Sequence, residues 1–141
     1  MISSFFNGCK SIKENKIDSE CSYSIEKFFS QIGKFKYIAA LDSLLLSNTN
    51  IDFTDSATIR LRDGFKSMNQ LSGKYLGYRL LKKRIVGDDI AIYSYLVKYE
   101  KKYYRFTFIY YKPAEKINIY KFSYDDELNL ELEESLKLYT Q

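Results

Sequence analysis

Residues 90–124 read IAIYSYLVKYEKKYYRFTFIYYKPAEKINIYKFSY, with aromatic and β-branched residues returning at every second position. Side chains of a strand point alternately to its two faces. Residues 90–100 therefore put Ala91, Tyr93, Tyr95, Val97 and Tyr99 on one face and Ile90, Ile92, Ser94, Leu96 and Lys98 on the other. In residues 103–112, Tyr104, Phe106, Phe108 and Tyr110 alternate in the same way with Arg105, Thr107, Ile109 and Tyr111. Lys101 and Lys102 form a short turn between these two runs, and residues 113–116, opened by the sole proline, form the next. Residues 117–124 read as the last strand, with Ile117 and Ile119 on one face and Tyr120 and Phe122 on the other. Residues 75–86 read as the first, with Gly77 at a bulge or bend and a turn at Gly87, Asp88 and Asp89. Four successive strands with short connections make an antiparallel meander.

Upstream of Lys74 the apolar period is that of a helix. Ile25, Phe28, Phe29 and Ile32 share a stripe, and Gly33 offers a C-cap. Phe35, Ile38, Ala39, Leu41, Leu45 and Leu46 continue the pattern, as one bent helix or as two meeting at Gly33. Thr54 is the expected cap of the next helix, with Asp55 in its first turn. Ala57, Leu61, Phe65, Met68 and Leu71 are its inward stripe, and Gly73 is its end. Residues 126–139 fit a helix through Leu128, Leu132, Leu136 and Tyr139, or a strand through Leu128, Leu130 and Leu132; helix is the expectation. The fold class is α+β, with N-terminal helices packed on a curved antiparallel four-stranded meander and a C-terminal helix after it.

A chain of 141 residues holds one hydrophobic core, so residues 22–141 are expected to form a single domain. The 14 Tyr and 10 Phe supply large buried area, and each buried tyrosine hydroxyl needs a partner. The absence of histidine removes the commonest general base and transition-metal ligand, which leaves Ser-His, Cys-His and zinc hydrolysis without their key residue. Cys9 and Cys21 cannot by themselves complete a tetrahedral metal site, and no metal or other cofactor is expected. Residues 125–141 carry six acids and one base, which leaves +9 on residues 1–124: the body is basic and the tail acidic. A tail folded back on the body would offset that charge.

Residues 1–21 read as a disordered tether or as the remnant of a signal segment. Ile2, Phe5 and Phe6 lead through Asn7 and Gly8 to Cys9, which resembles the end of a bacterial lipoprotein signal, without its basic start and with a shortened apolar part. That resemblance implies lipid attachment at Cys9, a cell-envelope location and membrane contact through the lipid alone. Otherwise the chain is expected in the cytoplasm.

Helices followed by such a meander resemble the nuclear-transport-factor-2-like superfamily, the cone-shaped, cystatin-like α+β fold that ketosteroid isomerase and scytalone dehydratase also use. The residues carrying the likeness are the break at Ile32, Gly33, Lys34 and Phe35 and the closing hairpin of residues 104–123, YRFTFIYYKPAEKINIYKFS. The likeness is one of pattern over residues 23–124, and the superfamily holds enzymes, small-molecule binders and interaction domains on one scaffold. It implies a binding domain that takes a small apolar ligand in a cone lined by Phe65, Tyr78, Tyr93, Tyr95, Phe108 and Tyr110, or docks a protein or a second copy of itself on an aromatic sheet face. The enzymatic alternative, an isomerase or dehydratase, would set Asp63 against Tyr78, Tyr93, Tyr95 or Tyr110 as an acid/base pair. Lys82, Lys83, Arg84, Lys98, Lys101, Lys102 and Arg105 lie among rings, as single-stranded nucleic acid would require. Such residues also protect strand edges from aggregation, no nucleic-acid motif accompanies them, and nucleic acid is not the expected partner.

Overall fold

The alternation downstream of Lys74 and the helical period upstream of it meet in two packed layers. The computed structural model describes residues 16–129, 132 and 133. Helices α1 (Lys16–Gly33), α2 (Tyr37–Leu45) and α3 (Ser56–Leu71) precede strands β1 (Tyr75–Val86), β2 (Ile90–Tyr99), β3 (Tyr103–Tyr111) and β4 (Asn118–Asp125). The strands form one antiparallel sheet in the order β1-β2-β3-β4.

One face of the sheet supports the helices. Tyr93, Val97, Phe106, Phe108 and Ile119 are buried against Phe28, Phe29, Ile32, Leu41 and Phe65. Phe28 is the hub: its ring lies 5.3 Å from that of Phe108 and 5.4 Å from that of Phe122. Between the helices, Arg62 of α3 clasps Asp42 of α2 with two parallel bonds, Nε to Oδ1 at 2.8 Å and a terminal nitrogen to Oδ2 at 3.0 Å.

Several local expectations are corrected. α1 begins at Lys16, so residues 16–21 of the expected tether are helical. Ile17 and Cys21 extend the buried stripe of Ile25 and Phe28 by two turns, a signal masked in the sequence by the polar Asp18, Ser19 and Glu20 around them. Cys21 is a free thiol, whereas Cys9 lies outside the described residues. α1 and α2 are separate helices, and the left-handed residue between them is Phe35 (φ 62°) rather than Gly33. α3 starts one residue later than expected, with Asp55 in the cap position, because the Thr54 hydroxyl is turned back to Asp52 Oδ1 at 2.7 Å. Leu71 is exposed, and Asn69 takes the buried place after Met68. Gly73 does end this helix, with φ 81°.

In β4 the alternation slips at Tyr120. Tyr110 pairs with Ile119 but Ile109 with Lys121, so a bulge puts Ile119 and Phe122 on the same inner face and leaves Tyr120 outside. The backbone of Ile119 is also engaged by the turn after α2: its N–H donates to Ser47 Oγ, and its carbonyl accepts from Asn48 Nδ2. β1 is bulged twice, near Gly77 and near Leu81. Beyond β4, the Leu132 N–H donates to the Leu128 carbonyl at 3.0 Å, which is a helical turn as expected; the rest of that segment lies outside the described residues.

Candidate functional site

The inner sheet face brings most of the proposed ligand-lining residues together. Phe65, Tyr93, Tyr95, Phe108 and Tyr110 are all buried, and Tyr78 sits at the edge with its ring stacked 3.9 Å from that of Phe29. Phe28 and Phe29 of α1 occupy the space among them: Phe29 lies 5.6 Å from Tyr95 and 5.9 Å from Phe108, and Phe28 lies 6.0 Å from Phe65. Tyr78, Tyr93, Tyr95, Phe108 and Tyr110 are linked ring to ring, and Phe65 joins them through Phe28.

The tyrosine hydroxyls of this layer find polar partners on the helices, as burial demands. Tyr93 donates to Asp18 Oδ1 at 2.6 Å and Tyr110 to Ser24 Oγ at 3.0 Å, both on α1. Tyr99 donates to Asn69 of α3, and Tyr104 donates at 2.7 Å to Ser72 Oγ just past its end, whose own proton goes to the Met68 carbonyl. Burial raises all three of Tyr93, Tyr99 and Tyr110 well above the ordinary phenol value, and it pushes Tyr95 up to about 12.

Asp18 is the carboxylate that meets a buried tyrosine, and nothing in its sequence spacing singled it out. Lys83 Nζ also reaches its Oδ2 at 3.0 Å, and Ser22 Oγ its Oδ1 at 3.5 Å. Burial raises the Asp18 pKa, but the bonds from Tyr93, Lys83 and Ser22 and the Lys83 charge outweigh it and hold the carboxyl below its usual value. A base tuned for proton abstraction near neutral pH is shifted the other way. Asp63, the carboxylate singled out in the sequence, stands on the exposed side of α3. Beside Asp18, burial pushes the Cys21 thiol up to about 12.

The basic residues of the sheet are divided between its faces. Lys83 points inward to Asp18, Lys102 pairs with Asp126 at 2.7 Å, and Arg105 pairs with Asp125 at 3.0 Å. Pairing with inward and outward neighbours puts Lys82, Arg84 and Lys98 on the outer face, whereas Lys101 lies in the β2–β3 turn. Carboxylates thus engage Lys83, Lys102 and Arg105 of these cations.

The outer face has an apolar end. Ile90 and Ile92 of β2, Ile109 and Tyr111 of β3 and the bulged Tyr120 surround an open concavity of about 450 Å³, over which the Tyr111 and Tyr120 rings meet at 6.1 Å. Tyr120 is 64% exposed. A second cleft of about 330 Å³ lies between α1 and α2, bordered by Tyr23, Lys27, Gln31 and Ser43. Asp18 and Tyr93 border neither.

Among the described residues no three His, Cys, Asp or Glu side chains are grouped to hold a metal ion, and no helix is long and apolar enough to cross a membrane. In comparisons with known proteins, the chain matches no family model, no curated protein and no solved structure.

Proposed function

We propose that this chain is a non-enzymatic binding domain of the nuclear-transport-factor-2-like kind, which docks a protein through the apolar end of its outer sheet face. The order of helices and antiparallel meander supports the fold likeness. The observation that carries the function is the concavity framed by Ile92, Ile109, Tyr111 and Tyr120, at which large apolar groups meet water. The interior aromatics, which a small apolar ligand would have to line, are in contact with Phe28 and Phe29. That favours the sheet surface over the cone as the place of binding. The partner presents an apolar surface, and a second copy of this chain is one such partner.

A photo-crosslinking residue at position 120 tests the reading in cells of the native host. The expected result is one discrete protein adduct that is lost when Tyr111→Lys is added and is not formed from a crosslinker at the exposed Tyr23 of α1. Absence of an adduct, or the same adducts from both positions, would refute it.

A further inference from the structure

Helix α2 returns beside α1 because the three residues between them are bonded to the end of α1. Lys34 and Lys36 donate to the Gln31 carbonyl at 3.1 and 3.0 Å, and Phe35 to that of Ile32 at 3.0 Å. The two helices do not close on each other completely: the cleft of about 330 Å³ lies between them. That is the small end of the range of ligand sites, about 300–1,000 Å³. Its lining from α1 follows the helical repeat. Tyr23, Lys27 and Gln31, four residues apart, form an outer row, and Ser24 and Phe28 form a deeper one. The other wall is Ala40, Ser43 and Leu44 of α2 with Ser47 just beyond it.

The floor is apolar, with Phe28, Ala40 and Leu44 at 2%, 1% and 4% exposure. The polar groups around it keep hydrogen-bonding capacity in reserve. Ser24 Oγ accepts from Tyr110 at 3.0 Å, which fixes the oxygen; its own proton has no acceptor among the described residues. The side-chain amide of the half-buried Gln31 and the Ser43 hydroxyl have no hydrogen-bond partner among the described residues. Lys27 forms no ion pair with them either, and its Nζ stands 5.2 Å from the centre of the Tyr23 ring. Ser47 is the one hydroxyl already engaged, between the Leu44 carbonyl and the Ile119 N–H. Water satisfies such groups singly, but the charge of the lining is one-sided. One cation borders the cleft and no carboxylate does, although Glu20 and Glu26 stand on the same helix.

We propose that the cleft between α1 and α2 binds a small organic acid, which lays an apolar body on Phe28, Ala40 and Leu44 and sets its carboxylate against Lys27. The Gln31 amide and the Ser24 hydroxyl donate to the carboxylate oxygens, so Tyr110, Ser24 and the ligand form one chain of hydrogen bonds. Lys27 adds the charge-assisted contact. A single cation balances a single negative charge, and an apolar floor suits a hydrocarbon body; together they favour a monocarboxylate over a phosphate ester. Tyr23 to Gln31 spans about 12 Å of helix axis, which admits a benzoate-sized or short-chain acid. This inference goes beyond the docking reading and does not rest on it: the cleft lies in the helical layer, and the docking concavity lies on the outer sheet face.

Benzoate and hexanoate, with the neutral benzamide and hexanamide as controls, are titrated into the isotopically labelled full-length chain and followed by two-dimensional NMR. The expected result is saturable shifts of backbone amides in residues 24–31 and 40–47 with at least one of the acids, and none with its amide. Lys27→Gln should weaken that binding about fivefold, the upper end for an exposed ion pair. Ser43→Leu, which fills the cleft from the α2 side, should abolish it. Both replaced residues are exposed, so the rest of the spectrum should keep its folded pattern. No saturable shift with either acid, equal affinity for an acid and its amide, undiminished binding in Lys27→Gln, or shifts confined to Ile92, Ile109 and Tyr120 would each overturn the assignment. The crosslinker at position 120 reads a protein contact on the opposite layer, so the two tests fail independently.

Discussion

Replacing Asp18 by alanine separates a structural clasp from an acid/base site. The carboxylate is 16% exposed and accepts from Tyr93 and Lys83. Tyr93 is 1% exposed, so Asp18→Ala leaves a buried hydroxyl without its acceptor, a loss of about 1–3 kcal/mol. Lys83, at 41% exposure, returns to water at little cost. Tyr93→Phe removes the hydroxyl together with its need and should cost about 1 kcal/mol. The double variant should therefore be more stable than the sum of the single losses implies, with a coupling of about 1 kcal/mol or more. Urea unfolding followed by far-ultraviolet circular dichroism measures all three. The pH dependence has a definite sign. Because the folded carboxyl is held below the ordinary value, its contribution is complete above the unfolded pKa of about 3.9 and fades as pH falls through the folded value. The stability gap between wild type and Asp18→Asn should thus narrow as pH falls below the unfolded value and through the lowered folded one. A gap that widens on acidification would mean a raised pKa, as an acid/base role requires, and additive single losses would show that Tyr93 does not depend on Asp18.

Three other outcomes follow from single contacts. A methyl group at Gly64 would stand 2.6 Å from the Tyr124 hydroxyl oxygen but 4.0 Å from the ring carbon that bears it. Gly64→Ala should therefore destabilise the wild type by about 1 kcal/mol through overpacking, and stabilise a Tyr124→Phe background by up to about 1 kcal/mol through helix propensity; urea midpoints in the two backgrounds give the comparison. In a Cys9→Ser chain, Cys21 should be inert to a disulfide reagent until urea unfolds the protein, as a fully buried thiol raised to about 12 requires; stoichiometric labelling of the native chain would contradict its burial. Phe35→Gly, at the left-handed position between α1 and α2, should raise the thermal midpoint, since the phenylalanine is 62% exposed and its backbone conformation costs about 1 kcal/mol.

The sheet was readable because its signal has a period of two and is repeated in adjacent strands. Tyr93, Tyr95, Phe106 and Phe108 all fall inward as their alternation requires. The same rule failed at Tyr120, where a bulge breaks the period without a glycine or proline to mark it. The start of α1 was hidden by its polar side: Asp18 reads as a solvated residue, although its carboxylate is the partner of a tyrosine 75 positions away. The need of buried tyrosines for partners could be read from their number. Which Asp, Ser or Asn answers each depends on how the helices lie across the sheet, and no spacing along the chain encodes that. Of the six rings expected to line a pocket, Phe65, Tyr93, Tyr95, Phe108 and Tyr110 are buried and Tyr78 is partly exposed, and only the packing of Phe28 and Phe29 brings out how closely the rings adjoin.

The bulge in β1 near Leu81 sorts the cations that follow it. Leu80 pairs with Tyr95 on the inner face and Lys83 with Tyr93, while Lys82 and Arg84 fall outside. Leu81 acts as a spacer, so its excision would leave each later residue of the strand facing as before. An inserted residue at any regular position between Lys82 and Ile85 would rotate the end of the strand by half a turn, bringing Ile85 to water and Arg84 or Val86 beneath the helices. The regular stretch after the bulge, rather than the bulge itself, thus decides which of Lys82, Lys83 and Arg84 meets the helices.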